Sequence, residues 1–93
     1  MSLQNPKPPQ FELNNLLSYY HKKQYENAEK LAISISKKYP SHEYAWKILA
    51  AVLEQTGRVI EAKKVNQKAL TIAPRDPEIH LSLGNNFNQL GNL

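Results

Sequence analysis

Apolar residues recur along the chain at the three-and-four spacing of a helix. Leu13, Leu16, Leu17 and Tyr20 fall on one helical face, and Tyr25, Ala28, Leu31, Ala32 and Ile35 on a second. A third face carries Tyr44 or Ala45 with Ile48, Leu49, Val52 and Leu53. Val59, Ala62, Val65, Ala69 and Ile72 mark a fourth, and Ile79, Leu83, Phe87 and Leu90 a fifth. The residues between these faces suit helix ends. Pro8 and Pro9 suit a start, Pro40 must end the second helix, and Ser41 can cap the third. Gly57 can take the left-handed conformation that closes a helix. Asp76-Pro77 combines a side-chain cap with a proline in the first turn. The pattern predicts an all-α chain with helices over 10–21, 24–38, 42–55, 58–72 and 77–90, behind an extended proline-bearing lead-in over 1–8.

A shift of 34 residues lays the chain on itself. Ala28 then meets Ala62, Ile35 meets Ala69, and Pro40 meets Pro74. Leu49 meets Leu83, Ala50 meets Gly84, Leu53 meets Phe87, and Gly57 meets Gly91. The middle copy reads Trp46-x-x-Leu49-Ala50-x-x-Leu53, then Gly57, Ala62, Ala69 and Pro74. This spacing resembles the tetratricopeptide repeat. The resemblance implies antiparallel helix hairpins stacked as a right-handed α-solenoid of about 2.5 units, with a concave groove. The copies are expected near 9–42, 43–76 and 77–93, the last one truncated.

Residue size in each copy is a packing matter. Small residues at Ala50 and Ala62 let two helices approach closely, and Trp46, Leu49 and Leu53 are expected to fill the space towards neighbouring helices. The first copy departs from this pattern, with Glu12 at the place of Trp46 and Leu16 at the place of Ala50. Asn66 stands where the repeat usually has an aromatic residue and is expected to be a half-buried amide bonded to backbone or water. The third copy lacks a second helix, so the fifth helix is expected to be bare on one face and to support a homodimer.

Composition narrows the functional classes. A chain of 93 residues suits a single domain with a thin core. It has no cysteine, hence no disulfide framework and no thiolate metal site, which fits a cytoplasmic setting. No apolar run approaches the roughly 18 residues of a membrane span. The net charge of +4 is mild. Lys37 and Lys38 end the second helix and Lys63, Lys64 and Lys68 lie on the fourth, where a solvated outer face is expected. The glycines sit at repeat landmarks and form no phosphate loop. His21, His42 and His80 fall on different helices or their ends, without the partner spacing of a helical zinc site. Glu26 and Glu29 share a face near Lys22, Lys23 and Lys30 and are expected to pair or be solvated there. No nucleophile, base and orienting group can be assembled, so neither enzymatic activity nor a cofactor is expected.

The resemblance places the first helix of each pair on the concave groove. Carried onto this sequence, that gives Leu17 and Tyr20 from the first copy and Tyr44, Lys47, Glu54 and Gln55 from the second. The third contributes Glu78, Leu81, Asn85 and Asn88. The family's carboxylate clamp is incomplete, since only Lys47 and Asn85 resemble its parts while Leu13, Leu17 and Ala51 occupy other required places. An inner asparagine ladder is also interrupted, because Asn14 is followed by Ile48 and Ser82. The expected function is a scaffold that holds a protein or peptide ligand in the groove. The alternatives are RNA binding through the basic helical face, or a substrate-recruiting segment of a larger transferase. The last is suggested by the likeness of residues 77–91 to repeats that precede bacterial glycosyltransferase or sulfotransferase domains.

Overall fold

Three residues, Lys22, Lys23 and Gln24, separate the first two helices, and the backbone uses them to reverse direction. A computed structural model describes residues 7–91, so the lead-in over 1–8 lies outside the described residues except for Lys7 and Pro8. The described residues form α1 (Gln10–His21), α2 (Tyr25–Lys38), α3 (Glu43–Gln55), α4 (Val59–Ile72) and α5 (Pro77–Gly91), with no strand among them. Each helix packs on its successor, and α1 also packs on α3. The assembly measures 51 × 28 × 18 Å.

The repeat is present in the backbone hydrogen bonds. At the end of α1, Lys23 N–H donates to the Tyr20 carbonyl (3.0 Å) and Gln24 N–H to that of Tyr19 (2.9 Å). At the end of α3, Gly57 N–H donates to Glu54 (3.2 Å) and Arg58 N–H to Leu53 (2.8 Å), each 34 positions later. Both ends are therefore Schellman closures, in which a left-handed residue turns spare N–H groups back onto the last carbonyls. After α2, Tyr39 N–H donates to Ile35 (2.8 Å) and His42 N–H to Tyr39 (3.0 Å). After α4 the same pair runs from Ala73 to Ala69 (2.9 Å) and from Asp76 to Ala73 (3.1 Å).

One side-chain bond follows the same offset. Trp46 Nε1–H donates to the Pro40 carbonyl (3.1 Å), and His80 Nε2 donates to the Pro74 carbonyl (2.7 Å). A carbonyl only accepts, so Nε2 of His80 carries the proton. In both copies a ring N–H pins the loop to the helix it feeds. Trp46 is half-buried, with Lys68 Nζ 5.9 Å from its ring centre, and Ala45 takes the fully buried place on α3. This corrects the expectation that Trp46 fills the interior. The Pro40 carbonyl holds it at the edge instead.

The two Schellman closures differ in cost. Gly57 has φ 81° and Lys23 has φ 62°. Glycine carries no Cβ to clash there, whereas an L-residue in this region gives up about 1–2 kcal/mol. We expect Lys23→Gly to raise the unfolding free energy by about 1 kcal/mol, which corresponds to a midpoint shift of about 4–8 °C. Thermal unfolding followed by circular dichroism would measure it, and an unchanged midpoint would show that the left-handed lysine carries no strain.

One apolar core joins α1 to α4. It contains Leu16, Ala28, Ala32, Ile35, Ala45, Leu49, Val52, Leu53 and Ala62, with Tyr19, Tyr20, Tyr25, Leu31, Tyr39, Ile48 and Val65 packed around it. The third copy buries less. Leu49, Ala50 and Leu53 are nearly inaccessible, yet their counterparts Leu83 and Gly84 are half-buried and exposed, and Phe87 is 52% exposed. α4 covers α3, whereas no described helix stands in that place beside α5. The inward stripe of α5 is Ile79, Ser82, Leu83 and Asn86, so Asn86 rather than Phe87 is buried. The cap of α3 also differs from expectation, with His42 at the N-cap position and no side-chain cap bond, so Ser41 does not cap it. Asp76 does cap α5, accepting from Glu78 N–H (2.8 Å) and Ile79 N–H (3.4 Å) on Oδ1.

Candidate functional site

The alternate helices of the chain lie along one side, and a cleft of about 310 Å³ opens between them. α1 contributes Leu17, Tyr20 and His21, α3 contributes Tyr44, Lys47 and Ile48, and α5 contributes Glu78, Ile79 and Ser82, with Asn66 of α4 at its lining. A second hollow of about 280 Å³, lined by Gln10, Leu13, Asn14, Leu17, His42 and Tyr44, adjoins it through Leu17 and Tyr44. The surface is thus assembled by helix stacking and belongs to no single helix. Of the residues expected in a groove, Leu17, Tyr20, Tyr44, Lys47 and Glu78 are brought together here. Gln55 lies beside the Tyr20 hydroxyl. Leu81, Asn85 and Asn88 are exposed on α5 and line neither hollow. They are spaced as the sequence requires, but the inward stripe of α5 points elsewhere.

Lys47 is not a free cation. Its Nζ bonds Asp76 Oδ2 at 2.8 Å and also bonds Glu78 Oε1. Partial burial pulls its pKa down, but the hydrogen bonds and charges of Asp76 and Glu78 outweigh this, and the ammonium ends with a raised pKa. Asp76 moves the other way, from 3.8 to about 2, through the Lys47 hydrogen bond first and its capping bonds after desolvation is set against them. Lys47 therefore ties α3 to the start of α5 as well as facing the cleft.

The sign of the pH effect follows from the depressed carboxylate. Its contribution is complete above the unfolded value of 3.8 and is lost as pH falls through the folded value. We expect stability to drop between about pH 4 and pH 2, and Asp76→Asn to remove part of that drop. Asparagine still caps a helix, so the variant isolates the ionic contribution. Urea unfolding at a series of pH values would measure it, and parallel wild-type and variant curves would rule the assignment out.

Glu54 belongs to a buried polar chain. Asn66 is 1% exposed and Asn86 0%. Asn66 Nδ2 donates to Asn86 Oδ1 at 2.8 Å, and Asn86 Nδ2 donates to Glu54 Oε2 at 2.8 Å. Asn66 Nδ2 also lies 3.4 Å from the same carboxylate oxygen. A carboxylate accepts only, so it fixes the orientation of both amides. Asn66 is consequently fully buried and bonded to side chains, which corrects the half-buried amide expected from sequence. Glu54, Asn66 and Asn86 stand 34 residues after Tyr20, Ala32 and Val52, all members of the apolar core or packed against it. The second junction thus carries a carboxylate and two amides where the first carries a phenol and two aliphatic side chains. The signal was legible as Asn66 and Asn86 falling on repeat positions held by Ala32 and Val52.

Tyr20 lies between the two arrangements. Its pKa is raised by burial, then by Tyr25 and the Glu54 carboxylate, against a Gln55 hydrogen bond that lowers it. The phenol is therefore neutral through the physiological range and offers both a donor and an acceptor.

Unlike Lys47, the basic residues of α2 and α4 lie away from the cleft. Lys37, Lys38, Lys64 and Lys68 are exposed on α2 and α4, and Lys63 Nζ sits 5.3 Å from the centre of the Phe87 ring. Arg58 bonds Glu29, joining α4 to α2, while Lys30 pairs with Glu26 at 3.5 Å within α2. A larger cleft of about 420 Å³ lies at the open end, between Gly57–Glu61 and Gln89–Leu90, with Arg58, Glu61 and Gln89 beside Val59, Ile60 and Leu90. Among the described residues, no cluster of His, Asp and Glu is placed to hold a metal ion, and no helix is long and apolar enough to cross a membrane. The chain matches no protein-family model, and no curated protein or solved structure is matched by it.

Proposed function

We propose that the chain is a protein-interaction module of the tetratricopeptide type, a right-handed solenoid of helix hairpins that holds a peptide or protein segment in its concave groove. The observation that carries this reading is the joint origin of the cleft, with walls supplied by α1, α3 and α5 at successive copies of the repeat. The 34-residue recurrence of the turn hydrogen bonds supports it independently. A concave surface with apolar and aromatic walls and a few oriented polar groups suits an extended ligand better than a small one. The chain then acts as a scaffold and not as an enzyme. RNA binding on the Lys37, Lys38 and Lys64 face is the alternative, and a recruiting role beside a transferase is a special case of the first reading.

Selection of random displayed peptides on the chain, followed by competition on Tyr44→Ala and Lys64→Glu variants, tests it. Groove ligands are expected to weaken about tenfold or more on Tyr44→Ala and to bind Lys64→Glu normally. Ligands that respond only to Lys64→Glu, with affinity falling steeply in salt, would favour RNA-like contacts on the outer face instead. The reading extends to self-association through α5, whose Phe87 is 52% exposed. Light scattering over a concentration series is expected to show a dimer that Phe87→Glu abolishes.

A further inference from the structure

We infer that α5 is a separately opening wall of the cleft, which undocks from α4 while α1–α4 stay folded. The cause lies in its packing, and the consequence rests on the groove reading above. Every residue of the apolar core, and every one packed around it, belongs to α1, α2, α3 or α4 or to the loop after α2. α5 adds one nearly inaccessible apolar side chain, Ile79 at 1% exposure, and one amide, Asn86. Standing at one end of the helix order does not explain this. α1 stands at the other end, yet it sets Leu16 inside the core with Tyr19 and Tyr20 against it. A segment that buries so little hydrocarbon opens at a lower free energy than the core does.

The other ties of α5 are polar and cost little to open. Lys47 bonds Asp76 and Glu78, but the Glu78 side chain is 76% exposed, and a pair so open to water contributes little. Asn86 bonds Asn66 and Glu54. Undocking opens these three side chains to water, which replaces their bonds, whereas hydrocarbon drawn from a core finds no such substitute. The Asp76 cap and the bond from His80 to the Pro74 carbonyl lie within α5 and the loop before it, so they travel with the helix. The break therefore falls between α4 and α5, and the loop over 73–76 is its hinge.

α5 supplies Glu78, Ile79 and Ser82 to the cleft. With α5 docked, the cleft is walled by α1, α3 and α5, and Lys47 is paired. With α5 away, one wall is gone and the Lys47 ammonium faces water without its carboxylates. The chain thus presents two different surfaces, and a ligand shifts it towards the one that it binds better. A ligand that touches Ile79 or Ser82 holds α5 down, and one that takes Lys47 for itself releases it.

Amide hydrogen exchange, read by mass spectrometry on peptic fragments, tests the opening without any ligand. The chain is kept at low micromolar concentration so that a second copy does not cover α5. Once intrinsic rates are removed, fragments of α5 are expected to exchange about a hundredfold faster than those of α2 and α3. Their rate is expected to respond weakly to added urea where that of α2 and α3 responds steeply, because little surface is exposed when α5 opens alone. Leu16→Ala, which weakens the core far from α5, is expected to speed α2 and α3 about a hundredfold and α5 less than about threefold. The urea series needs only the unaltered chain, so it is decisive even where the variant does not fold. Exchange of α5 in step with α2 and α3, in rate and in urea dependence, overturns the inference and leaves the groove reading standing. Fast, urea-insensitive exchange of α5 in a chain that selects no displayed peptide keeps the moving wall and overturns the groove reading instead.

Discussion

Replacing Asn86 with valine is expected to lower the unfolding free energy by about 2–4 kcal/mol, although valine occupies the same repeat position one copy earlier. The reason is the company each residue keeps. Val52 sits among Tyr20 and Ala32, whereas Asn86 joins Asn66 to Glu54. Removing it strands the Asn66 amide, which is 1% exposed and retains only a 3.4 Å approach to Glu54. Breaking one member of a buried polar set costs more than the set contributed, because the other members remain desolvated. The triple change Glu54→Tyr, Asn66→Ala and Asn86→Val installs the residues of the first junction together. It is expected to recover the whole loss and to match or exceed the wild type, since apolar replacement of a complete buried polar cluster is often neutral or stabilising. Urea unfolding of the single and triple variants measures the coupling. Losses that simply add across the three sites would show that the residues do not act as a unit.

The helix count and bounds were legible because period and breakers agree over the whole chain. Pro40, Gly57, Asp76 and Pro77 act locally, so a one-dimensional reading places the ends of α2, α3 and the start of α5 well. What escaped was set by neighbours distant in sequence. Lys23 takes the left-handed place of Gly57 because the closing bonds from Lys23 and Gln24 hold it there, and no propensity announces a lysine in that role. Ser41 is a good cap by composition, yet α3 begins one residue late for it. Trp46 looked like a core residue by size, but its ring N–H found the Pro40 carbonyl. At the candidate site, five of the ten expected residues line the cleft. Lys47 faces it already paired, a fact that depends on the packing of α5 and could not be read from Lys47 itself. Asn66 was the informative misfit, for a polar residue on a buried repeat position needs a partner, and Asn86 was available on the next copy.

Exchanging the residues at one repeat position between copies is expected to destabilise the fold in both directions. Leu16 and Ala50 stand 34 residues apart, and both are buried, at 0% and 2% exposure. By the pattern of the second copy, which has Ala50 at this place, Leu16→Ala improves the first copy. By packing it does not, because α1 shares a smaller contact with α2 than α3 does with α4, and Leu16 is fully buried within the core. Truncating it removes buried hydrocarbon and leaves a cavity, at a cost of about 3 kcal/mol. The reverse change, Ala50→Leu, forces extra methylenes into the α3–α4 contact and costs about 1–3 kcal/mol. Against a stability of about 5–15 kcal/mol for a domain, the first loss is large enough to shift the thermal midpoint by more than 10 °C. A calorimetric scan of each variant separates two accounts of α1. If Leu16→Ala loses about 3 kcal/mol, the position of α1 is held by its contacts with α3 and the leucine fills the core there. If the variant keeps its midpoint, α1 has closed onto α2 over the space that the leucine filled.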